Sequence, residues 1–302
     1  MSTAKDVAVA LSFDYDALSV WIGSFAQTSP TALSRGEFCA VGLRRILAVL
    51  ENYKVPGSFY VPGHTAYAYP KTVEAIAAAG HEIGHHGWTH ESPLAVTPER
   101  ERWILEKGLE ALQTVAGVRP AGYRSPAWDN SPHSVPLLLE HGFEYDSSMM
   151  GSDFEPYWCR VGDVASLDDP FQFGKPVDLV EMPVSWHLDD FLQFEFVATG
   201  VGMLQGAQTP RQTLETWKAE FDYLYDRIGH GIFTPTMHPQ VIGRGHRLTV
   251  LEGLIEHVLS KPGARFTTVG DYCRQWRKGK TPSLPADAVQ PGYLEEKIKR
   301  RA

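Results

Sequence analysis

The first half of this chain alternates short apolar runs with amphipathic stretches, and no other feature constrains its fold as tightly. Val7–Asp14 (V-A-V-A-L-S-F-D) is an apolar run ending in acid, the pattern of a buried strand. Glu37–Tyr53 places Val41, Ile46, Leu47 and Leu50 at helical spacing, and Pro56-Gly57 then breaks the chain. Ser58–Val61 reads as a second strand, Lys71–Ala79 as a helix stopped by Gly80, and His81–His86 as a third strand. Thr97-Pro98-Glu99 joins a capping residue to a proline at the first helical position, so a helix starts there and runs to about Val115. Ala121–Arg124 is strand-like, and Ser134–His141 is a helix ending at Gly142. Strands separated by helices pair in parallel, because the chain must cross back before laying down the next strand.

The later part is less regular. Asp153–Gln193 reads as long loops around one strand at Leu179–Pro183. Thr209–Ile228 is an amphipathic helix with Leu214, Trp217, Phe221 and Leu224 on one side. Gly231–Thr236 is a strand leading into His238, Leu248–Leu259 a helix, and Arg265–Val269 a final strand. No repeat appears, and no linker before about Lys278. Residues 1–278 therefore read as one α/β domain, and 279–302 as an arm over the surface or a neighbouring subunit.

Composition excludes several classes. With 43% hydrophobic and 21% charged residues in 302, the chain can bury a core and is not globally disordered. A net charge of −8 argues against nucleic acid, whose affinity rests on Lys and Arg. The basic Lys297–Arg301 tip reads as a solvated tail. Cys39, Cys159 and Cys273 form no C-x-x-C pair, which excludes a thiolate metal site and fits a reducing compartment. The apolar run at Val7–Phe13 is too short, and too soon followed by Asp14 and Asp16, for a secretory signal. No run approaches a membrane span. The expected location is cytoplasmic.

Four polar clusters fall at or just after expected strand ends: Asp14 with Asp16, His85 and His86 with His90, Arg124, and His238. In parallel α/β sheets and barrels, active sites assemble there. His86 and His90 are four apart, which brings two imidazoles to one face of a helical turn or compact loop. Two histidines plus one carboxylate form a hydrolytic metal set with positions open for water and substrate, and the second carboxylate is then free to act as base. Arg124 is placed to orient a carboxylate through a bidentate pair. His238 is a candidate general acid. Each feature taken alone has a plainer reading: a capping acid, a hydrogen-bonded histidine, a structural ion pair.

Four motifs in order, S-F-D-Y-D at 12–16, H-G-W-T-H at 86–90, R-S-P-A-W at 124–128 and M-H-P at 237–239, resemble the polysaccharide deacetylase family, also called NodB-homology carbohydrate esterases. The resemblance spans roughly Val7 to Asp271. W-I-G-S at 21–24, S-R-G at 34–36, P-G-H at 62–64, Y-D-S-S at 145–148 and W-H-L-D-D at 186–190 are similar to a subgroup of that family. It holds the Helicobacter peptidoglycan deacetylase homologue, cyclic imide hydrolases and allantoinase-like proteins. The resemblance implies a single-domain, distorted (β/α) barrel of about seven strands. It implies Asp14 as base, Asp16, His86 and His90 as ligands of a divalent metal, Arg124 orienting Asp14, and His238 as acid. Asp146 or Asp190 would support polar contacts. Trp88, Pro126, Trp128, Trp186 and Asp190 are expected around the substrate. The usual D-D-G is D-Y-D-A here, which leaves the roles of Asp14 and Asp16 exchangeable. Gly87 replaces the usual Ser or Thr and removes a hydroxyl near the metal.

The expected activity is metal-dependent hydrolysis of a small cyclic imide or related amide. The alternatives are N-deacetylation of an N-acetyl sugar, metal-independent ureide hydrolysis, and a non-catalytic metal- or carbohydrate-binding protein. Zinc is the first choice of metal, and cobalt, nickel, manganese or iron would also suit the ligands. A homo-oligomer, dimer or tetramer, is expected from the subgroup and the proline-rich arm.

Overall fold

The computed structural model describes residues 5–199, 202–206 and 208–288. Its strands are β1 (Asp6–Val9), β2 (Ser12–Asp14), β3 (Ser58–Val61), β4 (Glu82–His85), β5 (Gly122–Tyr123), β6 (Tyr145–Asp146), β7 (Tyr157–Val161), β8 (Lys175–Glu181), β9 (Phe196–Thr199), β10 (Gly202–Gln205), β11 (His230–Phe233), β12 (Thr236–Met237) and β13 (Ala264–Phe266). The main sheet runs β12-β2-β3-β4-β5-β6-β8-β7, and a second runs β11-β1-β13. All pairings in these two sheets are parallel except β7 on β8. Seven parallel strands, β12 through β8, therefore wrap around one interior. A single parallel bridge from Asp189 to Thr236 brings the chain beyond β8 back to β12. The α/β fold is the expected distorted barrel, closed by that bridge instead of a full ladder.

The expected Val7–Asp14 strand is interrupted at Ala10-Leu11, where it changes neighbours. Thr267 N bonds Val9 O at 3.0 Å on the β13 side, and Ser58 N bonds Leu11 O at 3.0 Å on the β3 side. Side chains on a strand alternate between faces. Val7, Val9, Leu11 and Phe13 join the large core under the helices, whereas Ala8 and Ala10 join Tyr60, Tyr145 and Ile232 in a separate cluster. The same alternation carries Ser12 and Asp14 onto the face of Ala8 and Ala10, toward the barrel interior. On the helix side, Phe13 stacks on Phe59 with centroids 4.7 Å apart. Burying each such apolar side chain contributes about 1.5–3 kcal/mol.

Several sequence expectations are corrected. The stretch 153–193 holds β7, β8 and the short helix Asp190–Phe194, and β8 begins at Lys175 instead of Leu179. The strand expected to reach Val269 stops at Phe266, and Val269 opens the helix Val269–Arg277, capped by Thr268 Oγ1 accepting from Asp271 N at 3.1 Å. Pro30–Glu37 is a helix that the apolar pattern did not disclose. The expected C-terminal arm runs past residue 288, outside the described residues. No helix among the described residues is long and apolar enough to cross a membrane.

Candidate metal centre and active site

Asp14 is the last residue of β2, and the chain beyond it turns at once. Ala17 takes a left-handed φ of 52°, and Val20–Ser24 forms a single π turn, a form often met at functional sites. Asp16 is thereby fully buried. His86 directly follows β4. Gly87 then bends the chain at a φ of +72°, and a Cβ there would meet Pro126 Cγ at 3.0 Å, which accounts for glycine at this position. His90 is itself left-handed, with a φ of 63°. The two histidines thus share a compact loop, not a helical turn, with ring centroids 4.8 Å apart.

Outer hydrogen bonds set the neutral tautomers. His86 Nδ1 lies 2.7 Å from the Arg124 carbonyl, which only accepts, so Nδ1 carries the proton and Nε2 the lone pair. Ser24 Oγ donates to the His90 carbonyl at 2.9 Å and accepts from His90 Nδ1 at 2.6 Å, which again leaves the lone pair on Nε2. The two Nε2 atoms face Asp16 Oδ1 at 3.4 and 3.8 Å. Both Asp16 oxygens and His86 Nε2 are buried with no hydrogen-bond partner among the described residues. An unpaired buried polar atom costs about 1–3 kcal/mol, so three at one point need a ligand. With His90, the donor atoms lie within 4.8 Å of one another. Two imidazoles and a carboxylate suit a divalent first-row ion.

The electrostatics agree. Burial opposes charge on Asp16, but His90, His86 and His238 outweigh it and hold the carboxyl at about 2. Burial pushes His90 down to about 4. His86 goes the other way: burial opposes its charge, but Asp14 and Asp16 raise it above its usual range. A proton on His86 and a bound cation are two answers to the same negative charge.

Asp14 has different partners. Arg124 Nη1 donates to Asp14 Oδ1 at 2.7 Å and to Ser12 Oγ at 3.1 Å. Arg124 Nε and Nη2 donate to the Ser147 carbonyl and hydroxyl at 3.0 and 2.9 Å. Because Ser147 takes that edge of the guanidinium, the expected bidentate pair is replaced by one charge-assisted bond. The guanidinium also lies 4.0 Å from the Tyr60 ring centroid. Trp128 Nε1 donates to Asp14 Oδ2 at 3.4 Å.

His238 follows β12. Asp190 Oδ1 lies 2.7 Å from His238 Nδ1, and both Asp190 oxygens accept from the His238 backbone N at 3.0 and 3.1 Å. Nε2 is thereby turned toward Asp16 Oδ2, at 3.6 Å. Burial opposes charge on His238, but Asp189, Asp190 and Asp16 together hold it well above its ordinary range. Burial also pushes Asp189 up to about 7.

Ala127 and Trp128 are both left-handed, with φ of 55° and 54°, and this kink lays Trp128 on Trp186 with centroids 4.4 Å apart. Pro126 packs against Gly87. Trp88, expected beside the substrate, packs in an aromatic cluster, edge-on to His64, Tyr67 and Trp103 at 6.2, 5.9 and 5.9 Å. The sequence reading did not single out Ser24, Asp189 or Ser147. Ser24 and Asp189 lie inside motifs it quoted, W-I-G-S and W-H-L-D-D. Ser147 likewise lies inside the quoted Y-D-S-S motif, just after β6.

Residues 3–145 match the polysaccharide deacetylase family. A peptidoglycan deacetylase of Helicobacter pylori is 36% identical over 287 residues, covering 91% of this chain and 98% of the relative. A Mycobacterium smegmatis structure assigned as a polysaccharide deacetylase is 37% identical and superposes with a TM-score of 0.81 over 96% of this chain and 97% of its own. An allantoinase structure, 23% identical, superposes with a TM-score of 0.76 over 94% of each chain, a likeness of fold alone. Ordered motifs, a site assembled at the strand ends and likeness to the Helicobacter and Mycobacterium proteins over more than 90% of the chain lead to one conclusion: the chain belongs to the polysaccharide deacetylase family, hydrolases that act on carbon–nitrogen bonds.

Proposed function

We propose that this chain is a metal-dependent hydrolase of a small amide, most simply a cyclic imide, with Asp16, His86 and His90 holding a divalent ion. The observation that carries the reading is the meeting of three unpaired buried donor atoms, the two Asp16 oxygens and His86 Nε2. Zinc suits the set, and cobalt, nickel, manganese or iron would be accepted. When bound, such an ion supplies Lewis acidity that polarises an amide carbonyl and acidifies water.

The chain's own groups do the rest. Asp14, held through Arg124 and Trp128, takes a proton from the attacking water. His238, whose hold on a proton is strengthened by its carboxylate neighbours, gives its Nε2 proton to the leaving nitrogen, and Asp190 on Nδ1 fixes the ring for that transfer. In the sequence, Asp14 and Asp16 were exchangeable. The assignment of base to Asp14 is supported by Arg124 reaching Asp14, and by both histidine Nε2 atoms lying near Asp16, at 3.4 and 3.8 Å, while only His86 Nε2 lies near Asp14, at 3.8 Å.

Enclosure supports a small substrate. Asp14, Asp16, His86, His90 and His238 are each at most 6% exposed. The stacked Trp128–Trp186 pair beside Asp14 offers an indole face to a flat ring. The second reading, N-deacetylation of an amino sugar, is favoured by the Helicobacter relative, a peptidoglycan deacetylase. The test is hydrolysis of succinimide, phthalimide, hydantoin, allantoin and N-acetylglucosamine oligomers by metal-stripped protein, before and after zinc is restored. Zinc-restored opening of an imide ring is the expected result. Acetate release from the oligomers alone would replace it with the second reading, and turnover that survives metal removal would overturn the metal role.

A further inference from the structure

The P-G-H motif at 62–64 ties together the two loops that carry Asp16, His86 and His90. It opens the short helix Gly63–Ala68, just after β3. Its backbone grips the loop of the two histidines. Gly63 N donates to the Gly87 carbonyl and His64 N to the Trp88 carbonyl, each at 3.0 Å. The approach is close enough that a Cβ on Gly63 would meet Trp88 Cε3 at 2.7 Å and Gly108 Cα at 2.8 Å, so only glycine fits there.

The side chains of the same turn reach the Asp16 loop. Thr65 Oγ1 donates to the Asp16 carbonyl at 2.6 Å. Ser19 Oγ lies 2.8 Å from Thr65 Oγ1, and His64 Nδ1 lies 3.1 Å from Ser19 Oγ. The order of protons along this chain is fixed. A carbonyl only accepts, so the Thr65 hydroxyl proton points at Asp16 O. Thr65 Oγ1 must then accept the Ser19 proton, and Ser19 Oγ must accept from His64 Nδ1. In this tautomer Nδ1 carries a proton whether the ring is neutral or charged, so the link does not depend on the charge of His64. Ser19 and Thr65 are at most 1% exposed, which keeps water from replacing the inner links, and the His64 ring is half-buried.

The turn held in this way is a demanding one. Ser19 N bonds the same Asp16 carbonyl at 2.9 Å, closing a turn in which Ala17 sits at a φ of 52°. A non-glycine residue keeps such a conformation only where its surroundings over-determine it. The Asp16 carboxylate makes no hydrogen bond among the described residues, so it is aimed through its backbone. We propose that His64 is a positioning residue of the metal centre: through Ser19 and Thr65 it holds the Asp16 turn in register with the His86–His90 loop, which its own backbone N–H binds. This role rests on Asp16, His86 and His90 being the ligands. Groups that orient a ligand set from outside change metal affinity by about 10–100-fold, and two hydroxyls between His64 and Asp16 place it at the low end of that range.

Zinc competition against a chromophoric chelator tests this, on metal-stripped protein held well below its melting temperature. The chain is fully folded there, so a variant that only lowers global stability leaves the zinc affinity unchanged. His64→Leu should weaken zinc binding by about tenfold. His64→Asn, whose amide N–H can donate to Ser19 in place of Nδ1, should recover most of that loss. Ser19→Ala should weaken binding to a similar extent, and adding His64→Leu to it should cost little more, because the chain is already cut. Near-UV circular dichroism checks the fold of each variant, and Ser19→Ala carries the test if His64→Leu does not fold. Wild-type affinity in His64→Leu, equal losses in His64→Leu and His64→Asn, or fully additive losses with Ser19→Ala would each overturn the proposal. Loss of zinc by Asp16→Asn beside an unaffected His64→Leu would leave the ligand reading intact and sink the role of His64 alone. A wild type that binds no zinc would sink both.

Discussion

Asp16 and Glu181 are both carboxylates with no solvent exposure, both near the ends of barrel strands, yet their surroundings are opposite. Glu181 on β8 sits across from Asp146 on β6. Glu181 Oε1 accepts from Ser148 N and Met149 N, each at 2.8 Å. Asp146 accepts from Ser147 N at 2.8 Å, Ser148 Oγ at 2.5 Å and Asn130 Nδ2 at 2.6 Å. Burial, with the Asp146 charge beside it, holds Glu181 well above the usual carboxylate range. Burial favours the protonated form of this pair, which is wrapped by backbone N–H groups and by Ser148 and Asn130. Asp16 is instead held low and makes no hydrogen bond among the described residues, with His86, His90 and His238 around it. A buried acid answered by amides belongs to the framework, and one surrounded by imidazoles is the candidate for a cation. The two regions are connected, since the 146–148 turn anchored by the carboxyl pair presents Ser147 to Arg124, which holds Asp14.

The largest effect that tests this contrast is on turnover. Asp14→Asn should lower kcat by about 10²–10⁴-fold, as loss of a general base does, with metal content by elemental analysis unchanged. Asp16→Asn should lose the metal along with the activity. If Asp14→Asn is the variant that loses metal, the two roles are exchanged. Next is Arg124→Met, which frees Asp14 from its anchor and should cost about 10²-fold in kcat with little change in KM. A change confined to KM would make Arg124 a substrate contact instead.

Stability separates the two carboxylates more finely. Glu181→Ala should cost about 3 kcal/mol or more in urea unfolding, because it strips Asp146 and two backbone N–H groups of their partner. Asp16→Ala, measured on metal-stripped protein, should cost less. Equal losses would erase the distinction. The smallest effect is on pH. A carboxyl whose pKa is raised in the folded state contributes stability below its unfolded value of about 4.3, and that contribution is lost as pH rises through the folded value, because the native state binds more protons in that window. Glu181→Gln should therefore flatten the decline of unfolding free energy with pH by up to ~1.4 kcal/mol per unit. An unchanged slope would show that Glu181 is already ionised.

Much of the site was legible because its signals are local. A period of two along Ala8, Ala10, Ser12 and Asp14 sends the acid inward, and the strand–helix rhythm marks which chain ends gather at one mouth. Other features were not legible, because they depend on neighbours far apart in sequence. Nothing local distinguishes Trp88, which packs on Tyr67 and Trp103, from Trp128, which reaches Asp14. Nor does the sequence reveal that Ser147 occupies the guanidinium edge reserved for a second carboxylate bond.

The sequence by itself determined the fold class, the family and the set of residues at the strand ends. Those follow from patterning within a few residues and from motifs in order. Only the tertiary structure decided which oxygen meets which nitrogen: Asp14 with Arg124, Asp16 with the histidine Nε2 atoms, and Asp146 with Glu181. Each of those pairings joins residues brought together by barrel closure and strand register. Burial then decides their charge states, because removing water turns the presence or absence of a single partner into a cost that sets protonation and ligand demand.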